Sequence, residues 1–199
     1  AYTIKELASY SFLLEHFYIV DETTSMTKQD LNGTKLVTMD LSAKLGKEEP
    51  LVLIYHTHGS ETYKKVNGKE GSVIEVGTAL TKELENVYGI KTVHDKSVYD
   101  MVDGQLDRNA AYNFAGDSVE AALRKNPSVK VVIDLHRDSV ENNIHLRTKV
   151  NGKSAAQIMF FNGVSRLASK GDIGYLYNPN KEANLAFSLQ MQLLCGKYY

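Results

Sequence analysis

The sequence predicts an α/β fold: a mostly parallel sheet flanked by helices on both faces, with an added β-hairpin. Three observations predict it. Two apolar runs, Leu51-Val52-Leu53-Ile54-Tyr55 and Val129-Lys130-Val131-Val132-Ile133-Asp134-Leu135, read as strands buried on both faces. Segments of helical spacing alternate with such runs, as when crossover helices join parallel strands. Asn151-Gly152, the strongest short hairpin signal, lies between two further extended segments.

Each element has a local reason. Thr3 to Phe17 reads as a helix, because Thr3 and Glu6 have capping-box spacing and Leu7, Tyr10, Leu13 and Leu14 share a face. Asp21 to Glu48 is polar and turn-rich. It reads as an arm anchored by Leu36, Val37 and Leu41, with a mobile linker over Asp21 to Gly33 as the alternative. Pro50 precedes the first strand, and a polar loop from His56 to Lys69 follows it. Glu70 to Tyr88 reads as a helix whose apolar face is Val73, Val76, Gly77, Leu80, Leu84 and Val87. Gly89 ends it, and Ile90 to Val93 is the next strand. A third helix runs from Asp107 to Lys125 and is stopped by Pro127. After the second apolar run, Ile144 to Val150 and Ala155 to Phe161 form the hairpin arms. Asn180 caps a last helix ending near Gly196. The chain thus divides into an N-terminal helix and arm over 1–48 and a main domain over 49–199.

Composition narrows the function classes. Of 199 residues, 43% are apolar and 24% charged, which is globular rather than disordered composition. Lysine plus arginine is 23 against 24 acidic residues, which leaves no electrostatic footprint for nucleic acid. The single cysteine, Cys195, excludes an internal disulfide and a multi-thiolate metal site. The chain begins at Ala1 without a charged-then-apolar leader and has no long apolar run, so it reads as a piece of a longer precursor.

In open α/β sheets, ligands bind in loops just past the carboxyl ends of the strands. Two such loops carry histidines: Tyr55-His56-Thr57-His58-Gly59-Ser60-Glu61 and Leu135-His136-Arg137-Asp138-Ser139. Two strand-end histidines with nearby carboxylates are the materials of a mononuclear zinc site. A purely structural histidine pair is the competing reading. Glu70 lies about 70° from the centre of the apolar helix face and Glu75 about 150° away, at 100° per residue. Glu70 also sits beside the strand end, which favours it as the third donor, and Glu61 is the loop alternative. His16, His94 and His145 read as structural, and Arg137 with Asp138 as a surface ion pair if not part of a site.

The motifs around these residues resemble the stage II sporulation protein P family. The stretches are Leu53 to Glu61, Val76-Gly77, Val132 to Asp138, Phe17 to Asp21 and Ala156 to Phe160. The resemblance implies kinship to zinc N-acetylmuramoyl-L-alanine amidases, which cut the stem peptide from peptidoglycan glycan, and endopeptidase cleavage of its crosslinks. It implies Zn2+ held by His58, Glu70 and His136. His56, Arg137 and Asp138 then become groups that support the ligands or touch substrate. The related amidases keep a general-base glutamate on a late strand, expected beyond Tyr199, with Glu61 as the substitute within this sequence; a peptidoglycan-binding or scaffolding module without catalysis is the alternative. The resemblance further implies action in engulfment beside the lytic transglycosylase stage II sporulation protein D and other engulfment proteins. The expected place is extracytoplasmic and wall-facing, with an N-terminal membrane anchor in the full-length protein.

Overall fold

A computed structural model describes residues 2–46, 48–64, 68–141 and 144–198. The elements run α1 (Ile4–Leu7), α2 (Tyr10–His16), α3 (Gly33–Thr38), β1 (Val52–Tyr55), α4 (Val73–Asn86) and β2 (Thr92–His94). They continue with β3 (Met101–Val102), β4 (Gln105–Leu106), α5 (Arg108–Lys125) and β5 (Val131–Asp134). The hairpin strands β6 (Arg147–Val150), β7 (Lys153–Ala156), β8 (Arg166–Leu167) and β9 (Gly171–Asp172), a 3-10 turn (Gly174–Leu176) and α6 (Lys181–Tyr198) complete the chain. The fold class is as expected: a parallel sheet with helices, and antiparallel hairpins beside it. No helix among the described residues is long and apolar enough to cross a membrane.

The chain forms two compact units. Ala43–Glu141 holds the parallel sheet, in the order β2-β1-β5 with the apolar β1 in the centre. Ile54 pairs with His94 and Ile133, and Tyr55 with Asp134. Alternation along a strand sends register partners to one face and the next residue to the other. Tyr55 therefore faces away from His94, and packs with Tyr99, Ala111 and Ala115, the last two on α5. α4 covers the face of His94, with Gly77 lying directly over that ring.

The second unit, Ala1–Ser42 with Asn142–Tyr199, is built on helices. Leu7, Leu13, Leu31, Leu36, Leu185, Ala186 and Leu189 form its buried cluster, and Val37 and Leu41 pack against it as the expected arm anchors. Gln190 donates to the carbonyls of Leu36 (2.8 Å) and Met39 (3.0 Å), satisfying acceptors that the end of α3 leaves open.

Element edges depart from expectation where a competing cap wins. The first helix is broken in two because Ser9 accepts from the Phe12 N–H and caps α2. The arm contains α3, capped by Asn32. α4 starts three residues later than expected, because Ser72 and Glu75 form a capping box. Glu70 therefore precedes the helix, and Glu75 serves its cap. Val76 and Val87, expected on the apolar face, are exposed. Asn151 (φ 50°) and Gly152 (φ 76°) form the expected tight turn, but β7 ends at Ala156 and Ile158 to Phe161 lie exposed beyond it.

Candidate functional site

β1 and β5 end side by side in the sheet, so the loops after them are neighbours. Glu61, from the β1 loop, and His136, just past β5, approach within 4.0 Å (Oε2 to Nδ1). The rings of His58 and His136 meet edge to face with centroids 5.3 Å apart. The His-Gly pair has a packing reason: a Cβ on Gly59 would lie 2.9 Å from the Ser97 carbonyl oxygen. Only glycine lets the 97–98 segment pass so close.

That segment leads to Asp100, which is completely buried. Its carboxylate accepts from the Ser60 N–H (3.1 Å) and Oγ (2.6 Å), and reaches within 3.7 Å of His58 Nδ1. The last distance is too long for a hydrogen bond. His58 Nδ1 is thus a buried ring nitrogen with no partner. Tyr112, on α5, stands edge-on to the same ring at 5.3 Å.

His136 is held differently. Its Nε2 lies 2.9 Å from Asp134 Oδ2, two residues back on the same face of β5. The Asp134 carboxylate also accepts from the Thr57 N–H (2.9 Å) and Oγ1 (2.6 Å). The bond to Asp134 raises the His136 pKa despite partial burial. Burial alone would raise the Asp134 pKa, but the bonds from His136 and Thr57 outweigh it and lower it. With Nε2 engaged by Asp134, Nδ1 is the ring nitrogen of His136 that faces Glu61.

Glu61 is 7% exposed. Arg108 Nη2 donates to its Oε1 (3.0 Å), and the Arg137 backbone N–H to its Oε2 (3.3 Å). Arg137 Nε is buried without a partner. Glu70 lies apart, exposed, and accepts from Thr62 Oγ1 at 2.8 Å. It lines an open surface hollow of about 610 Å³ with Tyr63, Lys64, Lys69, Gly71 and Glu75. Asp138 accepts from the Ser139 N–H (2.7 Å), and Arg137 Nη1 reaches the Asp138 carbonyl (3.4 Å) rather than its carboxylate.

His56 is fully buried beneath the loop. Its Nδ1 meets the Leu135 carbonyl, and its Nε2 meets His94 Nε2, both at 2.9 Å. Burial lowers both imidazole pKa values, and a neighbouring ring adds to this in each case, His136 for His56 and His56 for His94.

Among the described residues, no three His, Cys, Asp or Glu side chains are gathered closely enough to hold a metal as they stand. The donor chemistry nevertheless fits zinc: two imidazoles in edge contact and a buried carboxylate beside one of them. Sequence reading missed Asp100, Asp134, Arg108 and His94. Asp134 had a signal, its place two residues before a strand-end histidine. Asp100 and Arg108 had none, since tertiary folding alone brings them here.

The family model of stage II sporulation protein P matches residues 5–199. A stage II sporulation protein P from Bacillus subtilis (strain 168) is 27% identical over 127 residues. The match covers 58% of this chain and 31% of that protein, so the chain spans under a third of its relative. No solved structure matches the chain.

Proposed function

The chain belongs to the stage II sporulation protein P family, and on that premise we propose that it is a zinc-dependent peptidoglycan hydrolase of sporulation. The activity is that of an N-acetylmuramoyl-L-alanine amidase, with endopeptidase cleavage of crosslinks, acting in engulfment. The observation that carries this reading is the pair of strand-end imidazoles, His58 and His136, meeting edge to face with the buried Glu61 carboxylate beside His136.

His58 and His136 are the proposed imidazole ligands, and the family pattern adds Glu70. Zinc held there would supply a Lewis acid for the amide carbonyl. The chain's own groups do the rest. Asp134 engages His136 Nε2 and leaves Nδ1 as the coordinating atom. Thr57 fixes Asp134, and Ser60 fixes Asp100 behind His58. Glu61 takes a proton from the attacking water and returns it to the leaving nitrogen. Arg108 and the Arg137 N–H keep its carboxylate aimed. A second reading makes Glu61 the third ligand, favoured by its place beside His136.

The partners that follow are peptidoglycan, the stage II sporulation protein D lytic transglycosylase and other engulfment proteins. The proposed place is the extracytoplasmic, wall-facing side of a membrane that the full-length protein reaches through an N-terminal anchor.

Metal analysis tests the centre directly. One zinc per chain is expected, lost in His58→Ala and in His136→Ala; full occupancy in both variants would overturn the assignment. Glu70→Gln and Glu61→Gln separate the two readings, because only the ligand's variant loses zinc. Mass spectrometry of digested sacculi then reads which bond is cut.

A further inference from the structure

His94 reads from sequence as a structural residue at a strand end. Its surroundings say more. The last regular rung between β1 and β5 is the Leu135 N–H donating to the Tyr55 carbonyl at 2.9 Å. The next backbone donor on the β1 side, the Thr57 N–H, is turned to Asp134 instead. The two chains are separating here to open the site, and the Leu135 carbonyl receives the His56 ring in place of a ladder bond.

Proton counting then assigns both rings. A carbonyl only accepts, so His56 Nδ1 carries the proton. In a neutral ring His56 Nε2 is therefore a bare acceptor. The atom 2.9 Å from it, His94 Nε2, is the donor. His94 Nδ1 is left as a lone pair, and it is the buried nitrogen without a partner. No other arrangement of two neutral rings satisfies both contacts. The relay crosses all three strand ends, from β2 through β1 to β5.

We propose that His94 is a positioning residue for His136: it donates to His56, which holds the Leu135 carbonyl, so the peptide leading into His136 is fixed from across the sheet. The role of His136 as a zinc ligand rests on the function proposed above, but the relay itself does not.

The test uses the whole chain, first without metal. Long-range proton–nitrogen correlation of the imidazoles is expected to show His56 protonated on Nδ1 and His94 on Nε2. His94→Leu removes the donor, whereas His94→Gln keeps an amide N–H for His56. In His94→Leu, amide exchange at 135–137 accelerates severalfold and zinc affinity falls about 10-fold, the scale for losing a group behind a ligand. His94→Gln stays near wild type in both. A His56 proton on Nε2 overturns the proposal, as does equal behaviour of the two variants. If His94→Leu does not fold, the tautomers and His94→Gln still decide. Absence of zinc binding by the wild-type chain would sink the metal reading while leaving the tautomer and exchange outcomes intact.

Discussion

The two units differ in what they bury. The helical unit hides a cluster of leucines around Leu13, Leu36, Leu185 and Leu189. The sheet unit hides His56, Thr57, His58, Glu61 and Asp100 at the end of its central strand. Apolar burial is non-directional and stabilises wherever surface leaves water. A buried polar group costs free energy unless a partner stands at the correct place. The sheet unit therefore holds its strand-end loops by hydrogen bonds of specified geometry: Thr57 to Asp134, Ser60 to Asp100, Arg108 to Glu61. The first arrangement stabilises without specifying direction, and the second fixes the side chains at the strand ends in set positions.

The sharpest test of the apolar side is Leu189→Ala. Leu189 is fully buried in the leucine cluster. Removing it is expected to cost about 4 kcal/mol, the transfer and cavity terms together. Denaturant unfolding measures this directly, and a loss under about 1 kcal/mol would show that the cluster is not the tight core described.

The helical unit also holds a charged centre, which sharpens the contrast. Asp30 accepts from Lys181 Nζ (2.7 Å), from Arg166 Nη1 and from Thr27. Burial alone would raise its pKa, but these donors outweigh it and hold the carboxyl far below the usual carboxylate range. A depressed folded pKa stabilises above the unfolded value, near 4, and that stability is lost as pH falls through and below it. Asp30→Asn is expected to cost about 3 kcal/mol at neutral pH, because Lys181 loses its counter-charge and Arg166 is left with Asp172 alone. Stability measured from pH 5 downward should then fall less steeply than in wild type. An identical acid profile would remove Asp30 from the account.

How much was legible follows the same division. β1 and β5 were readable as strands from their apolar runs, but only β1 is buried on both faces; β5 lies at the sheet edge and leaves Val132 exposed. α5 was readable because Asp107 caps it and Pro127 closes it off. The strand-end histidines His56, His58 and His136 were readable from strand ends and chemistry together. The helix bounds failed where a cap lay inside the expected span, as with Ser72-Glu75 in a helix expected from Glu70. The short hairpin β3–β4, turned by Asp103-Gly104, was missed although its turn pair is as diagnostic as Asn151-Gly152. Asp100 and Arg108 were not legible, because their roles depend on where a loop and a helix start pass over the strand ends.

The smallest expected effect on stability bears most closely on the site. Gly77 lies on α4 over the histidine relay, and a Cβ there would sit 2.6 Å from His94 Nε2 and 2.7 Å from His56 Nε2. No real Cβ tolerates such distances, so either the helix lifts or the rings part. Overpacking of this kind costs about 2 kcal/mol, half the expected cost of Leu189→Ala. Its reach is wider than that figure. Parting the rings breaks the His94–His56 bond, which supports the His56 ring on the Leu135 carbonyl at the entry to His136. Gly77→Ala should therefore weaken zinc binding measured by calorimetry, while Leu189→Ala, corrected for any unfolded fraction, should not. Unchanged zinc affinity in a folded Gly77→Ala protein would mean that the helix simply lifts, and that close packing over the relay serves the core rather than the site.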